Sequence, residues 1–211
     1  IMPSTSDVNK YLVKNPKGII LSGGPNSVTQ IDTPRAPYEI WNSVPVLGIC
    51  YGQQTLCEQL GGKVETGINR EFGRAKLDVI ADCPLFYNLP KGTDFDVWMS
   101  HGDHVSELPD GFKVVARSAG APFAAIADHK RRYYGVQFHP EVAQTNGGTQ
   151  ILKNFAELIC NCEKGWSMVT YKYQAIQKIK EQVGKSGQVI CGLSGGVDSS
   201  VTAVLLHEAI G

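Results

Sequence analysis

This sequence of 211 residues lacks an excess of charge of one sign, a long hydrophobic run and a leader pattern. Lys and Arg number 20, and Asp and Glu also number 20, so we expect no basic surface for nucleic acid. No apolar run approaches the roughly 20 residues that cross a bilayer, and no basic segment followed by an apolar stretch opens the chain. The sequence therefore predicts a soluble, cytoplasmic protein whose partners include neither nucleic acid nor a membrane.

The cysteines do not have the spacing of a small disulfide-bonded domain. A chain of this length does not need disulfide bonds to fold, so we interpret the six cysteines as reduced thiols. Cys57, Cys83 and Cys191 are expected to be packing residues. His101 and His104 lie three apart without a cysteine or carboxylate set around them, so no metal site made by the protein alone is predicted.

Glycine, in contrast, is abundant, with 23 residues that often lie in pairs, as in tight turns between strands and helices. Short apolar runs at 17–21 and 44–49 are bounded by Gly or Pro, which is typical of buried parallel strands. Alternating hydrophobic and polar residues follow, and they predict antiparallel strands at 75–80, 95–99, 112–116, 123–127 and 133–138. Helical spacing over 148–162 then closes an α/β domain that spans residues 1–162.

A second domain is predicted after a linker and helix at residues 163–187. The helix ends at Gly184, and residues 188–193 predict a strand that leads into a glycine-rich turn and a helix at 199–210. This strand, loop and helix are typical of the opening unit of a nucleotide-binding domain, so we assign residues 188–211 to it.

The turn at residues 48–52 places Cys50 between two glycines at the end of a buried strand, with a helix expected from about Gln53. A strand-to-helix elbow holds its central side chain out on strained backbone, and glycine tolerates the crowding on either side. Backbone N–H groups at a helix N-terminus favour the thiolate, which is the nucleophilic form. Cys50 is therefore a candidate nucleophile and Gln54 a candidate substrate ligand one turn along; the alternative is a buried cysteine at a strand end.

A candidate base follows the last predicted strand, in the segment Phe138-His139-Pro140-Glu141. In extended backbone, residues two apart project to the same side, so Glu141 can reach the ring of His139. A carboxylate on one imidazole nitrogen fixes the tautomer, while the other nitrogen exchanges protons with a thiol. Alone, the segment could be a simple turn; beside the cysteine elbow it indicates catalysis.

The turn Ser22-Gly23-Gly24-Pro25 follows the other buried strand. Free backbone N–H groups in this turn, together with the N–H of Tyr51, could form an oxyanion hole for a tetrahedral intermediate. A plain left-handed turn is the alternative.

These three segments together resemble the class I triad glutamine amidotransferases, and the likeness covers about residues 17–162. It implies that Cys50 attacks the side-chain amide of glutamine, His139 protonates the departing ammonia, and Glu141 orients His139. It also implies a flavodoxin-like three-layer α/β fold with an antiparallel-rich half. The family's first strand and helix normally precede a segment like residues 1–3, so that strand is expected to be missing.

The same resemblance assigns the remaining parts of the glutamine site. Gly24 and Tyr51 would donate hydrogen bonds to the oxyanion. The segment 98–105 looks like the family loop that contacts the backbone part of the glutamine. The implied glutamine-binding residues are Gln54, Ser100, Gly102 and Asp103.

A phosphate-binding turn is the second strong signal. A predicted strand enters a Ser-Gly-Gly turn and then a helix N-terminus, which presents N–H groups, hydroxyls and a dipole to an anion. No Lys follows the glycines, so this is not the P-loop of nucleotide triphosphatases. It resembles the pyrophosphate loop of the N-type ATP pyrophosphatases, of the adenine-nucleotide α-hydrolase-like fold. The implied ATP-binding residues are Ser194, Gly195, Gly196, Val197, Asp198, Ser199 and Ser200.

A triad glutaminase followed by this loop resembles the glutamine-hydrolysing GMP synthetase family over all 211 residues. The likeness implies that XMP is adenylated by ATP with Mg²⁺ and that ammonia from glutamine displaces AMP to give GMP. It also implies a homodimer formed through a C-terminal domain that this sequence does not contain. Two alternatives remain: another cysteine-elbow hydrolase that acts on peptides or γ-glutamyl conjugates, and a non-catalytic nucleotide-binding scaffold.

Overall fold

A computed structural model describes residues 1–89, 92–164 and 167–211, which form two compact units, Ile1–Cys162 and Glu163–Gly211. The first unit contains seven strands, three α-helical segments, one π-helical segment and two single 3₁₀ turns among these residues. The strands are β1 Ile19–Leu21, β2 Val46–Ile49, β3 Lys63–Val79, β4 Gly92–Glu107, β5 Lys113–Arg117, β6 Ala125–Asp128 and β7 Tyr133–Val136. The helices are α1 Asn9–Leu12, α2 Tyr51–Gln59 and α3 Gly148–Lys153, and α3 continues as the π-helical segment Asn154–Ile159. The 3₁₀ turns are Tyr38–Ile40 and Pro84–Phe86.

The seven strands form one mixed sheet in the order β1-β2-β7-β6-β5-β3-β4. β1, β2 and β7 are parallel to one another, and the remaining neighbours are antiparallel. This arrangement confirms the predicted α/β class with a parallel part and an antiparallel-rich part.

Both faces of the sheet are covered, as continuous apolar strands require. Consecutive residues of β2 enter different cores, because strand side chains alternate between faces: Val46 packs with Leu56 of α2, and Leu47 packs with Ile151 of α3. The sheet therefore lies between α2 and the segment that begins with α3, which gives the three layers.

β3 and β4 form a hairpin much longer than the two strands predicted at 75–80 and 95–99. Its pairing is irregular between Thr66 and Glu71, after which Glu71 stands opposite His101. Polar residues and glycines fill this part of the hairpin, so the hydrophobic alternation that locates strands is weak there.

The predicted helix start near Gln53 is two residues late, since α2 begins at Tyr51, directly after Cys50.

The catalytic candidates follow two neighbouring parallel strands. Cys50 comes directly after β2, and His139 lies three residues beyond β7. Because β2 and β7 pair in parallel, their carboxyl ends meet at one edge of the sheet, and this edge carries the candidate site.

The second unit consists of α4 Met168–Val183 and α5 Val197–Ile210. Ser167 caps α4 by accepting a hydrogen bond from the N–H of Thr170, and Gly184 ends the helix at a φ of 70°. The linker predicted at 163–187 includes residues 165 and 166, which lie outside the described residues. The two helices are joined by an ion pair of 2.6 Å between Lys172 and Glu208.

The strand predicted at 188–193 is wrong for this structure. The backbone there has no regular structure, and Ile190 and Leu193 are 99% and 64% exposed. A strand requires a hydrogen-bonded neighbour, and the described residues of the second unit contain no other strand. Cys191 is exposed as well, so its expected packing role is also wrong.

Candidate active site

Cys50 lies on a strained elbow between β2 and α2. Its φ of 51° is in a region that non-glycine residues rarely adopt, and its N–H donates a 2.7 Å hydrogen bond to the carbonyl of Val136 in β7. A Cβ on Gly48 would lie 2.6 Å from the nitrogen of Gln53, and one on Gly52 would collide with the carbonyl of Leu21. Both flanking glycines are therefore required by the close approach of backbone.

His139 is held on two sides. The backbone N–H of His139 donates to the carbonyl of Trp98 at 3.0 Å, and the backbone carbonyl of His139 accepts from the hydroxyl of Thr145 at 2.6 Å. Glu141 Oε1 lies 2.6 Å from His139 Nδ1, as the two-residue spacing predicts. The ring plane is thus fixed by backbone on one side and by a carboxylate on the other.

The protonation of His139 follows from its neighbours. Nε2 is buried, and it has no oxygen or nitrogen partner among the described residues. The neighbouring Cys50 side chain raises the pKa of His139 most, and the Glu141 hydrogen bond raises it further; burial opposes both, and the result is a pKa of about 9. At neutral pH the ring is an imidazolium beside the cysteine sulfur.

The glycine turn after β1 lies against this pair. A Cβ on Gly23 would stand 3.0 Å from His139 Cε1 and 3.6 Å from Cys50 Cβ. A Cβ on Gly24 would lie 3.8 Å from the ring of Tyr51. The turn and the start of α2 thus come together beside the sulfur, where oxyanion donors would be needed.

A cleft of about 620 Å³ opens at this point. The predicted residues that line it are Gly24, Cys50, Gln54, Ser100, Gly102, Asp103 and His139. Tyr51 lies behind Gly24, and Glu141 contacts the far side of the His139 ring. The structure therefore places the predicted triad, oxyanion and glutamine-binding residues around one cavity.

Gln54 and the segment 100–103 form one wall of the cleft. The thiol of Cys50 donates to the carbonyl of Ser100 at 3.6 Å, and the amide of Gln54 donates to the carbonyl of Asp103 at 2.9 Å. Gln54 is 3% exposed, so its amide is fixed in place before any substrate binds.

Sequence reasoning assigned no role to Arg70 and Phe72, which line the cleft from β3. His101 falls in the predicted glutamine-contact segment 98–105 and was given no role of its own; it lines the cleft from β4, where it is hydrogen-bonded to Glu71. The irregular pairing of β3 with β4 brings these side chains to the site, and only the register of that pairing could have revealed them.

The predicted phosphate turn lies at the start of α5 in the second unit. Gly195 has a φ of 83°, and the hydroxyl of Ser199 donates to the carbonyl of Gly196 at 3.0 Å. Ser194 Oγ lies 3.0 Å from Ser199 Oγ and accepts from the Gly196 N–H at 3.4 Å. The turn is exposed, and it places two hydroxyls beside the first N–H groups of a 14-residue helix.

The described parts of the chain contain neither a cluster of metal-ligating side chains nor a membrane-spanning helix. No three His, Cys, Asp or Glu side chains among residues 1–89, 92–164 and 167–211 come together as a metal site. No helix in the same ranges is long and apolar enough to cross a membrane.

Comparison with known families gives two matches along the chain. The family model for glutamine amidotransferase class-I matches residues 1–158, and the model for NAD synthase matches residues 169–211. Curated proteins named glutamine-hydrolysing GMP synthase, from Brucella melitensis and Brucella ovis, are each 57% identical over the whole chain. The chain spans 42% and 41% of the length of these two relatives.

Solved structures give the same result for the fold. The crystal structure of a candidate GMP synthase subunit from Thermoplasma acidophilum superposes with a TM-score of 0.65 at 32% identity, covering 84% of this chain and 83% of that one. A glutamine amidotransferase from Methylobacillus flagellatus, at 22% identity and a TM-score of 0.53, covers 69% of this chain and 58% of that one and shares the fold. The matched family covers 158 of the 211 residues, including the whole cleft around Cys50, and the chain therefore belongs to the class-I glutamine amidotransferase family.

Proposed function

We propose that the protein makes GMP from XMP, ATP and glutamine, and that the first unit supplies the ammonia by hydrolysing glutamine. The observation that carries the glutaminase step is the arrangement of Cys50 on its elbow beside the His139–Glu141 pair, at the edge of a cleft that also holds Gln54. A thiol, a base and an orienting carboxylate in this order form a nucleophilic triad.

Glutamine hydrolysis on this geometry takes two steps. The Cys50 thiolate attacks the side-chain amide carbon, and the His139 imidazolium protonates the amide nitrogen, so that the C–N bond breaks, ammonia leaves and a thioester forms. His139, now neutral, takes a proton from water as the hydroxide attacks the thioester; glutamate leaves and Cys50 is regenerated.

The cleft walls supply the remaining roles. The N–H groups of Gly24 and Tyr51 would stabilise the charge that develops on the amide oxygen, because Tyr51 directly follows Cys50 and Gly24 follows Gly23, which packs against Cys50 and His139. Gln54, Ser100, Gly102 and Asp103 would hold the amino-acid end of the substrate. Glu141 would keep Nδ1 protonated and so leave Nε2 directed to the thiol.

The second unit would begin the ATP-dependent half of the reaction. The NAD synthase match at residues 169–211 and the names of the Brucella relatives support this assignment. The turn at residues 194–200 would bind the pyrophosphate part of ATP through its N–H groups and the hydroxyls of Ser194 and Ser199. XMP would be adenylated with release of pyrophosphate, and ammonia would then displace AMP. Mg²⁺ bound with ATP would offset the phosphate charge.

A cytoplasmic location, a homodimer and the absence of a nucleic-acid partner belong to the same proposal. They depend on the likeness to GMP synthetases and on the balanced charge of the sequence.

The decisive experiment compares Cys50→Ala with Cys162→Ala, a partly exposed cysteine outside the cleft. In the intact protein, Cys50→Ala should lower glutamine-dependent GMP formation by about 10³-fold or more and leave ammonia-dependent formation unchanged. Cys162→Ala should leave both rates unchanged. Persisting glutamine use in Cys50→Ala would refute the nucleophile, and faster cleavage of a γ-glutamyl peptide than of glutamine would favour a different hydrolase.

A further inference from the structure

Glu71 and His101 form a contact in the cleft wall that the triad mechanism does not use. They stand directly opposite each other across β3 and β4, and His101 Nε2 lies 3.3 Å from Glu71 Oε2. The side chain of His101 is 2% exposed, and that of Glu71 is 20% exposed. Buried polar groups require hydrogen-bond partners, so the partners of the His101 ring indicate which of its nitrogens carry protons.

Both ring nitrogens of His101 face acceptors. Nε2 faces the carboxylate of Glu71, and Nδ1 lies 3.1 Å from the carbonyl oxygen of Asp103. A carbonyl cannot donate a hydrogen bond, and a neutral imidazole can donate only one. Beside an ionised Glu71, His101 fills both contacts only as an imidazolium.

The surroundings of Glu71 fit an ionised carboxylate. Ser118 Oγ lies 3.3 Å from Oε2 and 3.5 Å from Oε1. The same hydroxyl accepts the N–H of Ala121 at 3.0 Å, so its proton is free to be donated to Glu71. A Cβ on Gly120 would come within 2.8 Å of the carboxyl carbon, which shows how closely the chain surrounds this group.

The pair is connected to the catalytic groups through the segment 100–103. The carbonyl of Ser100 accepts from Cys50, and the carbonyl of Asp103 accepts from both Gln54 and His101. His101 therefore lies between Ser100, whose carbonyl contacts Cys50, and Asp103, whose carbonyl contacts Gln54 of α2. Any change in its two hydrogen bonds shifts the backbone that lines the glutamine pocket.

We infer that Glu71 and His101 form a buried ion pair that positions the segment 100–103 for glutamine binding, with both acting as positioning residues. The inference depends on the proposed glutaminase function. It adds two residues of β3 and β4 to a site otherwise built from loops and from the start of α2.

Steady-state kinetics of the intact protein test the positioning role. Glu71→Ala should raise the KM for glutamine by about tenfold or more and change kcat by less than about threefold, because the triad itself is untouched. Alkylation of Cys50 by iodoacetamide, located by peptide mapping, should keep its rate within about twofold. The inference would be overturned if kcat/KM for glutamine and the rate of Cys50 alkylation fell by the same factor, or if the KM for glutamine were unchanged.

Two further variants separate charge from packing. Glu71→Gln retains an acceptor for His101 but removes the charge, so it should restore only part of the glutamine affinity; full restoration would overturn the ion pair. Asp78→Asn breaks another ion pair of β3, with Arg117 at 3.0 Å, outside the residues that line the cleft, and should leave the KM unchanged. A rise in KM for Asp78→Asn equal to that of Glu71→Ala would indicate a general effect on the sheet.

Nitrogen NMR of the histidine rings gives a readout that does not depend on turnover. At pH 7.5 the ring of His101, assigned by its loss in His101→Gln, should carry protons on both nitrogens in the unmutated protein. A neutral His101 ring would overturn the inference even if Glu71→Ala does not fold. Failure of the unmutated protein to hydrolyse glutamine would refute the proposed function, a result distinct from either of these.

Discussion

The imidazolium of His139 makes the proposed site sensitive to pH. Its pKa of about 9 arises mainly from the hydrogen bond with Cys50 and secondarily from Glu141. The acid that would protonate the leaving ammonia is thus present over the neutral range and is lost as the pH rises through about 9.

Glu141→Gln should move the alkaline limit of glutamine hydrolysis to lower pH. Removing the negative charge 2.6 Å from Nδ1 removes an interaction that favours the imidazolium, so the pKa of His139 falls by roughly one unit. The measurement is kcat/KM for glutamine from pH 6 to 10. Glu39→Gln, at an exposed site, serves as the control and should leave the profile unchanged. A profile for Glu141→Gln identical to that of the unmutated protein would show that Glu141 does not set the proton on His139.

At the level of single residues, the sequence was informative where local backbone determines the outcome. The elbow around Cys50 and the two-residue spacing from His139 to Glu141 are local features, and the structure has both. Glu71 and His101 lie 30 positions apart, and their contact depends on a register that includes an irregularity. No pattern within either strand specifies that register.

At the level of elements, the elbow depends on how closely α2 approaches β1. A Cβ on Gly52 would collide with the Leu21 carbonyl, and one on Gly48 would meet the backbone of Gln53. Backbone that lies this close cannot move aside as a flexible side chain would. The helix N-terminus is thereby held beside the turn that carries Gly24.

Gly52→Ala should destabilise the first unit by about 3 kcal/mol, since the added methyl forces α2 and β1 apart. Gly24→Ala is the matched control: its Cβ would meet only the Tyr51 ring, at an ordinary 3.8 Å, so stability should change by less than about 0.5 kcal/mol. Urea unfolding followed by circular dichroism measures both. Equal midpoints for the two variants would show that the elbow tolerates a side chain.

Two elements show where sequence patterns fail. The β3–β4 hairpin extends well beyond the predicted strands because pairing with a neighbour stabilises polar and glycine-containing segments that have low strand propensity of their own. The segment 188–193 shows the converse, since its apolar residues predict a strand but the described residues of its own unit include no other strand to pair with. Strand formation is thus decided by the partner as much as by the segment.

At the level of the whole molecule, the two proposed sites belong to separate units. The cleft around Cys50 is built only from residues of the first unit, and the turn at 194–200 only from residues of the second. The family matches divide in the same way, at 1–158 and 169–211. Substitutions in one unit should therefore leave the basal chemistry of the other intact.

Asp198→Ala gives this separation a direct test in the intact protein. Asp198 lies in the first turn of α5, beside the hydroxyls that would meet pyrophosphate, and the proposed ATP site depends on that turn. XMP-dependent release of pyrophosphate from ATP should fall by about 100-fold or more, as expected for loss of a group of the proposed ATP site. Basal glutamine hydrolysis should stay within about twofold, because no atom of the cleft around Cys50 belongs to α5. Unchanged pyrophosphate release would remove the turn from the ATP site, whereas a parallel loss of both activities would show that the two units do not act separately.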